Sequence, residues 1–401
     1  MRNTPYVILL AALAGCGEEA QVTQPAETVS NHESGPRYRV IKFTSTLGGA
    51  SRGSDINERG WIAGFSDSSD GNRHATLWRH KSGPVIDLKT LGGPHSNVQW
   101  HGLNDRGMVV GISLTAEDDS LSEGWSCAPF FPSATNKVCR GFWWEGGEMK
   151  ALPTLGGTHG YATAVNDWGQ VVGWAETTVR DSTCDAPQVL QFRAVLWEPK
   201  KNRKRALRPY RRASTSAATA INNRGQVVGI SGECDIAVGR FSAQHAVLWE
   251  NGKVRNLKNL GGTSWHTPTA ISDRGDVVGF SNPAGAADLA GEFIARAVLW
   301  TERGGMRPLG RLPGDSTSQA RGVNSRRQVV GVSTSFEGVS RAFLWEDGKM
   351  KNLNALIRPG SGDSLVSAQD INDEGHITGT LLELGSGKVL PFVAVPIGNR
   401  P

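Results

Sequence analysis

A short unit returns seven times along this 401-residue chain: an apolar residue, Asn-x-x-Gly, then two or three apolar residues and a further Gly. Its copies are Ile56-Asn57-Glu58-Arg59-Gly60, Leu103-Asn104-Asp105-Arg106-Gly107, Val165-Asn166-Asp167-Trp168-Gly169, Ile221-Asn222-Asn223-Arg224-Gly225, Ile271-Ser272-Asp273-Arg274-Gly275, Val323-Asn324-Ser325-Arg326-Arg327 and Ile371-Asn372-Asp373-Glu374-Gly375. Asn57 and Asn372 are 315 residues apart, so each of the six intervals averages about 52 residues, close to the period of four-stranded propeller blades. A repeat of that length cannot bury its own apolar face and must stack on its neighbours.

Each unit reads as four short strands. In the fourth, Ser214 to Ile221 and Gln226 to Ile230 flank the Asn-x-x-Gly turn, and Ala246-Val247-Leu248-Trp249 and Val254 to Leu257 flank Glu250-Asn251-Gly252-Lys253. Asn bonds its own backbone at a turn start and Gly accepts positive φ, so both four-residue segments suit tight hairpins. Strand three recurs as Leu77-Trp78, Trp143-Trp144, Leu196-Trp197, Leu248-Trp249, Leu299-Trp300 and Leu344-Trp345. Its unbroken apolar runs require both sheet faces to be covered, which makes these Trp residues packing rather than a ligand cage. Tyr38 to Phe43 opens the chain as a fourth strand without its first three, and Pro391 to Val395 closes it as a third strand without a fourth. The expected fold is therefore all-β, a seven-bladed β-propeller of four-stranded antiparallel blades closed by pairing of the N-terminal strand with the C-terminal strands. The expected blades are 50–90, 94–153, 158–209, 214–258, 264–310, 316–354 and 364–397 plus 37–46, forming one domain over 37–401.

The segment before that domain carries a different message. Arg2 and the apolar run Tyr6 to Gly15 form an export signal too short to span a bilayer. Leu13-Ala14-Gly15-Cys16 resembles the bacterial lipoprotein lipobox, which implies a signal peptide over 1–15 and a lipidated Cys16. Several acyl chains hold a protein on a membrane almost irreversibly, and Gly17 after the cysteine favours the outer membrane. Residues 16–36 read as the lipidated cysteine and a flexible tether. The remaining cysteines, Cys127, Cys139, Cys184 and Cys234, suggest two disulfides in an oxidising compartment. Three connectivities are open, Cys127 with Cys139 being the local choice.

With their Leu-Gly-Gly connectors, Asn-x-x-Gly-x-Val-Val-Gly turns and Ala-x-Leu-Trp strands, the repeats resemble the HAF-repeat family of bacterial extracellular proteins over about nine tenths of the chain. The family's His-Ala pair stands at His74-Ala75 and His245-Ala246, with Arg193, Arg296 and Arg341 at that place elsewhere; Ser272 and Arg327 depart from the pattern. The resemblance implies export and a repeat scaffold, and carries no reaction.

Up-and-down blades put the loops between strands two and three on one face with the connectors. The large length variation and all four domain cysteines fall there, and long loops on a rigid scaffold are where binding concentrates. His95, His159 and His266 follow the connectors at similar offsets and are candidates for converging at the channel mouth; Trp100, Trp125 and Trp265, outside the repeat motif, are candidate contact residues. Lys200, Lys201, Arg203, Lys204, Arg205, Arg208, Arg211 and Arg212 concentrate the basic excess of a chain with net charge +5. Positive charge on an outermost strand deters edge-to-edge pairing; contact with lipid or polysaccharide phosphates is the other reading, and nucleic acid is not expected. No metal-ligand spacing, phosphate loop or nucleophile context is found. Gly49-Ala50-Ser51-Arg52-Gly53 matches Gly-x-Ser-x-Gly but lies on a connector between strands. No cofactor, metal or catalytic residue is expected. The function expected is that of a monomeric, envelope-anchored binding scaffold whose partner is an envelope protein or polysaccharide. The alternative is a hydrolase or lyase at the central channel mouth.

Overall fold

The computed structural model describes residues 37–397 except 81–82, 125–126, 236–238, 240, 286–293, 302, 304 and 359–361. Cys16 and Trp125 lie outside the described residues. The chain forms seven four-stranded antiparallel sheets, the strands of six running in sequence order across each sheet. The innermost strands are β2 (Gly48–Ile56), β6 (Gly92–Asn97), β10 (Gly156–Val165), β14 (Thr215–Ile221), β18 (Thr267–Ile271), β22 (Asp315–Val323) and β26 (Asp363–Ile371).

The seventh sheet is shared by the two ends of the chain. Strand β1 (Tyr38–Lys42) pairs with β28 (Lys388–Pro396) from Tyr38 opposite Pro396 to Lys42 opposite Phe392, which closes the ring. The molecule is thus a seven-bladed β-propeller.

Two local features repeat around it. Asn57, Asn104, Asn166, Asn222, Asn324 and Asn372 use Oδ1 to accept backbone N–H groups of their own turn, as Asn57 does from Arg59 and Trp61 at 3.1 and 2.9 Å. Their Nδ2 donates to the carbonyl of the corresponding residue in the next blade: Asn57 to Asn104, Asn104 to Asn166, Asn166 to Asn222, Asn222 to Ser272, Asn324 to Asn372 and, across the seam, Asn372 to Asn57. The motif asparagine is therefore both a turn former and an inter-blade clasp.

The second feature is the Gly of Val-Val-Gly. At Gly64, Gly173 and Gly379 a Cβ would fall 1.9, 1.9 and 2.0 Å from a backbone oxygen of the inner strand, so no side chain fits. These glycines pair with Gly53, Ala162 and Ala368, immediately before a bulge in the inner strand. A bulge re-aims the extra residue, here Ser54, Thr163 and Gln369, and Thr163 uses the turn to donate to Val172 O of its own blade and Ala218 O of the next.

The strand-three Trp residues are buried as packing: Trp78, Trp144, Trp197, Trp249, Trp300 and Trp345 are at most 5% exposed. The indoles of Trp78, Trp197 and Trp249 also donate to carbonyls of the connectors, at Ser45, Pro153 and Arg208.

Candidate functional site

Cys127 is bonded to Cys139, and Cys184 to Cys234, with Cα separations of 6.2 and 4.4 Å. Two disulfides belong outside the reducing cytosol. Among the described residues no helix is long and apolar enough to cross a membrane.

The second disulfide ties the long loop of the third blade to that of the fourth, where Asp185 N–H also donates to Cys234 O at 3.0 Å. Glu123, in the long loop of the second blade, reaches into the third and accepts from the backbone of Val189 and Leu190, at 2.5 Å each. Phe130 and Phe131 of that loop pack with Trp100, Tyr161 and Trp174, and Trp265 leans on the same cluster. The long loops of the second, third and fourth blades are thus cross-linked through their described residues, and Trp100 belongs to the packed cluster beneath them, with Trp265 partly buried against it.

The three histidines do not meet at the channel mouth. Each is at most 2% exposed. His95 Nδ1 accepts from the Arg73 backbone of the preceding blade and its Nε2 meets Ser133 Oγ. His159 Nδ1 accepts from Cys139 N and its Nε2 lies 3.3 Å from Asp119. The cause is their place at the outset of an inner strand, whose pleat turns them between blades.

His266 Nε2 donates to Gly262 O at 3.0 Å and Nδ1 meets Ser281 Oγ at 2.8 Å, which satisfies the neutral ring; burial pushes its pKa down to about 4. The unfolded chain takes up this proton near the ordinary value of about 6.5, the folded chain only near 4. This contribution to stability is therefore complete above pH 6.5 and falls as the solution is acidified to 4, by on the order of 3 kcal/mol. Urea melts of the wild type and of His266→Asn over that range should differ in slope, the variant losing less stability on acidification.

The eight basic residues are all exposed. Arg203, Lys204 and Arg205 lie on the outermost strand β13 (Arg203–Leu207), whose one strand neighbour is β12 (Leu190–Glu198). Lys200 and Lys201 pair with Glu145 and Glu198 at 2.8 and 2.6 Å. Arg211 lies over the Tyr210 ring at 5.1 Å. Arg208 and Arg212 flank the same connector.

On the opposite face, where the Asn-x-x-Gly turns gather, the ring axis opens into a cavity of about 210 Å³. Its rim is acidic. Glu58, Asp105, Asp167 and Asp373 follow the motif asparagine in four blades and Asp273 follows Ser272 in the fifth, with Asn223 and Ser325 at that place in the other two. Asp105 accepts from Glu58 N, Asp167 from Asp105 N, Asp273 from Asn223 N and Glu58 from Asp373 N, at 2.8 Å each. Burial in this ring, with repulsion from Asp373, Asp105 and Asp370, pushes the Glu58 carboxyl up to about 7.

Below the rim, His101 crosses the axis from the second blade to bond Arg321 O of the sixth at 3.0 Å. Its Nδ1 lies 3.4 Å from Asp370 Oδ1 and 3.8 Å from Asp55 Oδ1. The other oxygens are engaged, Asp55 Oδ2 by Leu103 N at 2.6 Å and Asp370 Oδ2 by Ile56 N at 3.1 Å. Burial alone would lower the His101 pKa; the two carboxylates overcome it and hold it well above the ordinary value. Burial and the neighbouring Asp370 raise the Asp55 carboxyl. Two carboxylates and an imidazole sharing protons beneath a cavity can bind a cation or move a proton.

These residues have a sequence signal visible only when the seven units are laid against one another. Two places before the motif asparagine the chain carries Gly102, Ala164, Ala220, Ala270 and Gly322, but Asp55 and Asp370 in the two blades that flank the seam. At the bulged place three before it, Thr163, Thr219 and Thr269 bond backbone carbonyls, while the second blade carries His101.

No protein-family model matches the chain, and no curated protein is similar to it. Solved structures similar to it include the β-propeller domain of the Trilobed protease from Pyrococcus furiosus, at 12% identity and a TM-score of 0.46 over 87% of this chain and 94% of that one. The oligogalacturonate lyase from Vibrio parahaemolyticus matches at 12% identity and 0.48 over 90% of each. A prolyl endopeptidase matches at 10% identity and 0.52 over 89% of this chain, which spans 52% of the endopeptidase. At this identity the last likeness supports the propeller fold and nothing finer.

Proposed function

We propose that the protein is an exported interaction scaffold of the HAF-repeat kind, held on a membrane by lipid at Cys16, that docks an envelope protein on its long-loop face. The observation that carries this reading is where the exposed large apolar side chains lie. Of the seven exposed large apolar side chains among the described residues, Val179, Phe241, Phe336, Val339 and Leu384, 39 to 87% exposed, stand at or between strands two and three of their blades, while Trp168 lies in an Asn-x-x-Gly turn on the opposite face and Ile397 follows the last strand. Scattered exposed apolar residues are ordinary; five of the seven on one face, with Val179 and Phe241 in the two blades whose loops Cys184–Cys234 joins, favour that face for docking. A second reading, a hydrolase or lyase at the channel mouth, draws support from the carboxylates and imidazole gathered beneath the axial cavity.

The test is photo-crosslinking of the full chain in the cells that make it, with the reactive side chain at Phe336 or Phe241 and, for the opposite face, at Asp347. Positions 336 and 241 should give one discrete adduct at least tenfold stronger than any from 347. Equal labelling from both faces, or none from 336 and 241, would sink the docking surface.

A further inference from the structure

We propose that Asp55, His101 and Asp370 form a divalent-cation site in the axial cavity, suited to a borderline or hard ion such as Zn2+ or Mn2+. The argument begins with the direction of the lone pairs. A carbonyl oxygen only accepts, so the 3.0 Å contact with Arg321 O fixes a His101 proton on Nε2, and Nδ1 is the ring atom that would bind an ion, which would displace the proton it shares with the carboxylates. Nδ1 then faces Asp370 Oδ1 at 3.4 Å and Asp55 Oδ1 at 3.8 Å. These three atoms lie within 4.8 Å of one another, and the positive charge that holds them together is either the Nδ1 proton or a metal ion in its place.

The separations suit a metal. At a bond length of roughly 2.1 Å, these two distances subtend about 110° and 130° at the ion, inside the range of tetrahedral and trigonal sites. The supporting contacts are those such sites require. Each carboxylate spends Oδ2 on a backbone N–H of the next blade, Asp55 on Leu103 and Asp370 on Ile56, which fixes the ligating oxygens. Asp55 and Asp370 are 4 and 7% exposed, so both are preorganised rather than solvated. The cavity and its five-carboxylate rim supply an entry path that concentrates cations. With three protein ligands and the cavity above, a coordination position is left for water or a ligand, as in open rather than structural sites. One nitrogen and two oxygens favour Zn2+, Mn2+ or Fe2+ over soft Cu(I).

The site lies at the opposite end of the axis from the loop face, so the two readings stand or fall separately. The experiment is calorimetric titration of the chelator-treated, disulfide-intact protein with Zn2+ and with Mn2+. One ion per chain is expected, with affinity reduced at least a hundredfold in His101→Gln and in Asp55→Asn/Asp370→Asn, and less than tenfold in Glu58→Gln/Asp105→Asn. Because a buried variant can fail to fold, Co2+ is added to the wild type as well. A visible absorption band of a low-coordinate nitrogen–oxygen site, displaced by Zn2+, supports the assignment. Absence of binding in the wild type overturns it, as does binding that survives His101→Gln but is lost on neutralising the rim.

Discussion

Deletion of residues 37–43 is expected to abolish cooperative folding, giving an aggregating chain with no melting transition by calorimetry. The reason is that the last sheet is made from both ends of the chain. Without β1, the ladder from Tyr38–Pro396 to Lys42–Phe392 disappears and β28 becomes an open apolar edge, which templates aggregation. Tyr38 and Phe43 are 2 and 4% exposed, and losing a buried aromatic costs about 3–5 kcal/mol. Two such losses, with the ladder, reach the whole stability of an ordinary domain, about 5–15 kcal/mol. The deletion also removes Arg37 and Lys42, which pair with Glu346, and with Asp363 and Glu383.

A circular permutant separates loss of closure from loss of mass. Ile397 N–H donates to Arg37 O at 2.7 Å, so the ends of the ring can be joined by a short linker. A new terminus in the turn Glu145-Gly146-Gly147-Glu148 leaves all four strands of the seventh sheet in one continuous run. That permutant should fold and melt within a few degrees of the parent. A deleted chain that melts like the parent would show that the ring does not depend on its seam.

Closure was legible because a missing strand at one end and a surplus at the other is a countable quantity, and Asn57 to Asn372 fixes the count. The cavity was harder to see. His95, His159 and His266 share an offset from Leu-Gly-Gly, but offset gives position along a strand, and the pleat then turns those side chains between blades. His101, Asp55 and Asp370 reach the axis through a bulge and an interrupted inner strand, β6 ending at Asn97, which alternation of apolar and polar residues does not report. Acid rings and axial clusters arise from one residue per blade, so they appear only when the units are compared position by position. The long-loop face was legible from loop length and cysteine placement. Its internal bracing by Glu123 was not, since that carboxylate acts on a neighbouring blade at 65 residues and more along the chain.

Asn166→Ala should destabilise the ring by about 3 kcal/mol in chemical denaturation. It removes the acceptor of Trp168 N and Gln170 N and the donor to Asn222 O, three bonds to backbone in a buried place at roughly 1 kcal/mol each, and a fourth, to Gln170 Oε1, which water can replace at the half-buried Gln170. The chain contains its own control. Ser272 occupies the equivalent place in the fifth blade, where Oγ accepts from Asp276 N at 3.3 Å and no amide is present to clasp the sixth. Across that same junction Arg327 reaches back to Asp276 with two bonds of 2.8 and 3.1 Å. Arg327 stands where the other turns have Gly and adopts φ 62°, at a cost of roughly 1 kcal/mol relative to glycine. The two departures from the repeat are therefore one substitution of an ion pair for an amide clasp. Arg327→Gly alone should cost about 2–4 kcal/mol, since it leaves Asp276, 1% exposed, as an unpaired buried charge. In the Ser272→Asn/Asp276→Gln background, which restores the clasp and removes the charge, the same change should be neutral or stabilising by about 1 kcal/mol. Equal effects of Arg327→Gly in the two backgrounds would mean that the junction is held by something other than this exchange.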